Sequence, residues 1–283
     1  MKKKNPWPMK NLFFGAALLL VLALMWLAGQ PLISAQPLPI QHNGVHAPYT
    51  VRNRQGELLF FNFRAVEPKQ LYRGSAFVPN RVVLVEGRKQ ARPAAFADSQ
   101  AFDWLRERGI RTIICLQEAE ICRAEKSYFD QWGKKTGYHI DVRRLTVRNG
   151  HAYDTDSALL ERFPEVQDRR TGLRAAADFI EFMKRRKPGD GAVYVHDDTG
   201  KDSAGVVCAG YELWRNRGTA DADTLWDQVM NRYLVSNVVI ERDKEAARLA
   251  GGKTDCDFSE APNYVCTGRL QKVRPQLELI AQL

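Results

Sequence analysis

The sequence has no Cys-x-x-Cys pair, no internal repeat, no low-complexity tract and no basic stripe interleaved with aromatics. The missing stripe argues against nucleic acid as a partner. At 283 residues, one ordinary α/β core with extensions is the simplest reading. For the pair Cys256 and Cys266, the lack of a Cys-x-x-Cys motif or a nearby histidine argues against zinc. With 45% hydrophobic and 27% charged residues, neither a disordered chain nor a multispanning membrane protein is favoured. Five cysteines are present, an odd number that leaves at least one unpaired.

The formal charge is +9 over 283 residues, and Lys2, Lys3, Lys4 and Lys10 supply four of those charges, leaving +5 for everything after them. Residues 12–29 then run without interruption through apolar or small side chains. As a helix rising about 1.5 Å per residue, such a run spans roughly the hydrocarbon core of a bilayer. A cleaved signal peptide is the rival reading, with Ile33-Ser34-Ala35 as a poor cleavage site. The lysines before the run place the N-terminus in the cytoplasm and the body of the chain outside, periplasmic in a bacterium.

The expected organisation is a cytoplasmic basic segment at 1–11, a transmembrane anchor at 12–29 and a Pro-rich linker at 30–51. A folded domain at 52–250 and a tail at 251–283 follow. In the tail, Cys256 and Cys266 flank a short polar loop and are expected to form a disulfide, which suits an oxidising compartment. Cys115 and Cys208 fall in apolar patterns and read as small core residues.

Within the domain, strand and helix signals alternate. Short strands are expected at 58–63 and 71–73, with a turn at Pro68. A helix carrying Phe102 and Leu105 ends at Gly109, and a buried strand follows at 110–116. Further helices are expected at 127–135, from Leu173 to Met183, at 224–233 and at 238–249, with strands at 138–147 and 192–195. This alternation implies an α/β fold with a mostly parallel sheet covered by helices on both faces. The polar stretch 148–168 is long for a connection and reads as an insertion or a lid.

After the 192–195 strand comes His196-Asp197-Asp198-Thr199-Gly200-Lys201-Asp202-Ser203-Ala204-Gly205, leading into a helix. A strand–loop–helix of this kind presents successive backbone N–H groups and the positive end of a helix dipole to an anion. Val193-Tyr194-Val195-His196, Gly200 and Gly205, together with Phe63-Arg64 and Leu71-Tyr72-Arg73-Gly74-Ser75, resemble the cysteine-dependent protein tyrosine phosphatases. The likeness is strongest to small periplasmic dual-specificity-like members of that superfamily. It implies a cysteine-phosphatase-like fold over roughly residues 60–233 and a phosphate loop at His196, Asp198, Thr199, Gly200, Lys201, Asp202, Ala204 and Gly205.

The same resemblance requires a cysteine after the histidine, an arginine six residues later and then a hydroxyl residue. Asp197, Ser203 and Ala204 stand at those positions. The family's chemistry needs a thiolate nucleophile and a bidentate guanidinium clamp. With both replaced, the expectation is a pseudophosphatase that binds a protein partner in the cell envelope and at most an anion weakly. No cofactor is expected. Asp154 and Asp156 are the candidates for a surviving general acid. Two other readings give Asp197 chemistry of its own. In one it attacks phosphorus as an aspartyl nucleophile; in the other it joins Asp198, Asp202 and His196 around a divalent metal. The plainer reading is that these carboxylates cap the helix and satisfy loop amides, with no metal bound.

Overall fold

The computed structural model describes residues 51–52, 58–60, 62–77, 83–85, 88–90, 99–145, 147, 152–154, 171–233 and 267–282. All belong to one unit spanning Pro37–Leu283. The apolar run at 12–29, Asp156, the expected 238–249 helix and the Cys256/Cys266 pair lie outside the described residues. Among the described residues no helix is long and apolar enough to cross a membrane.

The strands are β1 (Val51–Arg52), β2 (Leu58–Phe60), β3 (Arg64–Glu67), β4 (Leu71–Ser75), β5 (Val83–Val85), β6 (Arg88–Gln90), β7 (Ile110–Cys115), β8 (Asp141–Arg144) and β9 (Ala192–Asp197). The helices are α1 (Gln100–Glu107), α2 (Ala119–Thr136), α3 (Gly172–Lys184), α4 (Ser203–Asn216), α5 (Ala222–Arg232) and α6 (Thr267–Ile280). Five strands form the central sheet in the order β3-β4-β9-β7-β8. Only β3 runs antiparallel to its neighbour. The chain is therefore α/β, with a mostly parallel sheet flanked by helices.

Side-chain alternation sorts the core into two layers. Along β9, Val193 and Val195 pack with Leu173, Phe179 and Ile180 of α3 and with Val206 and Val207 of α4. Ala192 and Tyr194 pack on the opposite face with Phe102 and Leu105 of α1 and Tyr128 and Phe129 of α2. A strand buried on both faces reads as a continuous apolar run, which is why residues 192–195 stand out in the sequence. Full burial of side chains such as Phe102 or Ile180 stabilises the fold by about 1.5–3 kcal/mol each.

Local signals fix the element ends. Gly109 takes φ 68° after α1, and Gly137 takes φ 72° after α2, the left-handed conformation that stops a helix. Thr171 caps α3 by accepting the Arg174 N–H at 3.2 Å. Two helices depart most from the sequence expectation. Helix α2 begins at Ala119 because Ile121 and Cys122 add to its buried face. Helix α6 falls in what the sequence reads as a tail, yet it buries Leu270, Val273, Leu277 and Ile280 in the α3/α4 layer.

Candidate functional site

The 197–203 loop leaves the sheet at its centre, where β9 lies between β4 and β7. Ser75 is paired with Asp197, Gly74 with His196 and Cys115 with His196, so the loop starts from a strand held on both sides. Gly200 takes φ 69°, and a Cβ there would run into the backbone of Gly74. A Cβ at Gly205 would strike the Tyr233 ring. These two glycines let the loop lie directly on its neighbours.

The Asp197 side chain turns into the loop. Oδ1 accepts the backbone N–H groups of Thr199 at 2.9 Å and Gly200 at 2.5 Å, and Oδ2 accepts that of Ala204 at 2.9 Å. Ala204 lies in the first turn of α4, whose N-cap residue Asp202 makes no side-chain cap hydrogen bond. Asp197 therefore caps α4 and fills the loop with one carboxylate, placing negative charge at the positive end of the helix dipole. The anion expected from outside is supplied by the chain.

The rest of the loop is drawn inward. Lys201 is buried, with Nζ 3.7 Å from Asp202 Oδ2, instead of projecting toward solvent. Thr199 and Ser203 are buried, while Asp198 and Asp202 are half-buried. Tyr233 donates its hydroxyl to the Lys201 carbonyl at 2.8 Å, and Tyr153 donates to Asp202 Oδ1 at 3.1 Å. The two tyrosine hydroxyls also contact each other. Tyr153 belongs to the lid-like stretch, and its neighbour Asp154 is exposed. Asn62 closes the loop's far side by donating Nδ2 to the Gly200 carbonyl at 2.8 Å.

His196 faces away from the three loop aspartate side chains. Its Nε2 lies 2.9 Å from Glu125 Oε2 on α2, and its Nδ1 lies 3.4 Å from the Asp197 carbonyl. Burial works to lower the His196 pKa, but the charge and hydrogen bond of Glu125 outweigh it and the imidazole is raised above its ordinary value. Asp197, Asp198, Asp202 and His196, the set of the metal reading, form no metal-sized cluster among the described residues: the imidazole is directed at Glu125 and Asp197 at loop amides. Cys115 and Cys122, for which the sequence gives no pairing, are joined by a disulfide beside His196, with their Cα atoms 5.8 Å apart.

A buried polar cluster lies behind the loop. Arg73, 2% exposed, holds its guanidinium 5.2 Å above the Tyr233 ring, and its Nε and Nη2 have no hydrogen-bond acceptor among the described residues. Glu212 accepts from Arg232 Nη1 at 3.0 Å, and Arg64 Nη1 donates to the Arg232 carbonyl at 3.1 Å. The sequence marks none of Asn62, Glu125, Tyr153, Glu212 or Tyr233, because each reaches the site through contacts far apart in the chain.

In comparisons with known proteins, no family model matches this chain and no curated protein matches it.

Proposed function

We propose that this chain is a membrane-anchored, periplasmic pseudophosphatase: a cysteine-phosphatase-like domain used to bind and regulate a protein partner in the cell envelope. The observation that carries this reading is the Asp197 carboxylate held by the amides of Thr199, Gly200 and Ala204. A phosphate dianion would meet both a filled nest and a like charge. Neither a thiolate nor a guanidinium occupies the loop positions where the resemblance requires them, since Asp197 and Ser203 stand there. Removing a single transition-state charge partner commonly costs about 10²-fold or more in rate, and here nucleophile and clamp are both replaced.

Support for the location comes from the apolar run at 12–29, preceded by lysines. The Cys115–Cys122 disulfide suits the same oxidising compartment. The rival in which Asp197 attacks phosphorus needs a carboxylate oxygen open to substrate, and both oxygens already accept loop N–H groups. The test is turnover of an aryl phosphate by the full chain in detergent, with and without magnesium. The expected result is no turnover in either condition. Metal-independent turnover abolished by Asp197→Ala would refute the reading, and turnover only with magnesium would restore the aspartyl-phosphate mechanism. Capture of envelope proteins by the same full chain from its native membrane would then identify the partner.

A further inference from the structure

We infer that Cys115, Cys122, Glu125 and His196 form a buried zinc site when the two cysteines are reduced, and that the disulfide is the alternative state of the same four-residue cluster. Donor atoms of Cys115, Glu125 and His196 all lie within 4.8 Å of one another. Cys122, whose sulfur is bonded to that of Cys115, lies outside that 4.8 Å group and would swing in as the fourth donor once the two sulfurs part. Each of the four residues is at most 5% exposed. Two sulfurs, one imidazole nitrogen and one carboxylate oxygen make a four-donor set suited to tetrahedral zinc, and thiolates disfavour magnesium and calcium.

The cluster stands on rigid elements. Cys115 ends β7 and is paired with His196 on β9, while Cys122 and Glu125 lie one helical turn apart on the buried face of α2. Nε2 of His196 and Oε2 of Glu125 are 2.9 Å apart, close to the roughly 3.3 Å between two light-atom donors around tetrahedral zinc. The Nδ1 contact with the Asp197 carbonyl, at 3.4 Å, orients the ring as the outer hydrogen bond of a metal-bound histidine does. The sulfurs must separate to roughly 3.7 Å, which follows from zinc–sulfur bonds of about 2.3 Å.

The chemistry balances with a dithiol as reductant. It delivers two electrons and two protons to the Cys115–Cys122 bond, leaves two thiols and becomes a disulfide itself. Zinc then displaces both thiol protons to solvent; an imidazolium His196 also releases its Nε2 proton, while Nδ1 keeps the proton it directs at the Asp197 carbonyl. Two thiolates, a carboxylate and a neutral imidazole remain around the ion. Since Cys115 is fully buried, reductant and ion reach the pair only while the chain is open, as it folds or after it has been unfolded. The bound ion would tie α2 to the residue immediately before Asp197. This inference does not depend on whether the loop is catalytic.

The test uses the full chain in detergent carrying Cys256→Ser and Cys266→Ser, so that the remaining candidate thiols of the C-terminal segment do not contribute. It is unfolded with a phosphine reductant, refolded anaerobically with zinc, desalted and assayed for metal; a parallel sample is refolded oxidised. The expected result is one zinc per chain in the reduced sample and loss of it in the oxidised one. Further loss is expected in Cys115→Ser/Cys122→Ser and in His196→Asn. Refolding the same chain with cobalt needs no substitution within the cluster, and should give a thiolate charge-transfer band with the strong visible bands of a tetrahedral ion. A reduced chain without zinc, uptake unchanged by the Cys115/Cys122 substitutions, or cobalt bound without a thiolate band would each overturn the inference.

Discussion

Asp197 Oδ2 accepts the backbone N–H of Ala204 at 2.9 Å, a bond spanning seven residues that closes the loop on its own first side chain. Oδ1 holds the amides of Thr199 and Gly200 from the same carboxylate. Asn at 197 can keep an oxygen for the Oδ1 pair but offers an amide nitrogen to Ala204. One buried N–H then loses its acceptor, which costs about 1–3 kcal/mol. Chemical denaturation should show Asp197→Asn destabilised by that amount. An unchanged midpoint would mean that the carboxylate does not hold the loop.

Gly200 combines a left-handed backbone with contact against Gly74. An alanine there meets both a conformational penalty and a backbone collision, so Gly200→Ala should destabilise the fold by more than the roughly 1 kcal/mol expected for a left-handed position alone. Thermal unfolding checks this. Gly109→Ala is the control, since it shares the positive φ but has open space around its Cβ. Equal losses in the two variants would contradict the packing argument.

Glu212 is buried, and burial pushes its pKa up while Arg232 and Arg73 pull it down. Removing the carboxylate takes a charge partner from Arg232 in a desolvated site, and Glu212→Ala should cost about 3–5 kcal/mol in urea unfolding. A folded pKa above the unfolded one makes the proton stabilising. That contribution is full below the unfolded pKa and is lost as pH rises through the folded one. Glu212→Gln should therefore remove this part of the pH dependence, and an unaltered profile would contradict the assignment.

Cys208 is fully buried, and desolvation pushes its thiol up to about 12, against a smaller opposing effect of Arg73. It should resist alkylation at mildly alkaline pH in the native chain and react only after unfolding. Mass spectrometry of labelled peptides before and after denaturation checks this. Native labelling at the denatured rate would show the α3/α4 layer to be open.

Much of the sheet is legible in the sequence because its signals are local. Phe102, Leu105 and Gly109 announce a helix and its end, and the apolar run from Ala192 announces a buried strand. The strand–loop–helix at 196–205 is equally visible, as is the presence of a carboxylate where the resemblance requires a thiol. The direction of that carboxylate is not visible, because it depends on Gly200 lying against Gly74. Glu125 and His196 are 71 residues apart, and nothing local to either announces the other. Cys115 reads as a core residue because it is one. Its bond to Cys122 requires α2 to start earlier than its apolar spacing indicates. Helix α6 is obscured by Pro275 within it, although Leu270, Val273, Leu277 and Ile280 keep helical spacing.

The Asp197 carboxylate sits among the loop amides that an external anion would otherwise engage. The most direct measurement is calorimetric titration of inorganic phosphate into the full chain in detergent, wild type against Asp197→Ala. No saturable binding to the wild type is expected. In the variant, three freed amides and the α4 N-terminus should give a binding isotherm that weakens as salt is added. Saturable phosphate binding by the wild type that Asp197→Ala abolishes would contradict that arrangement.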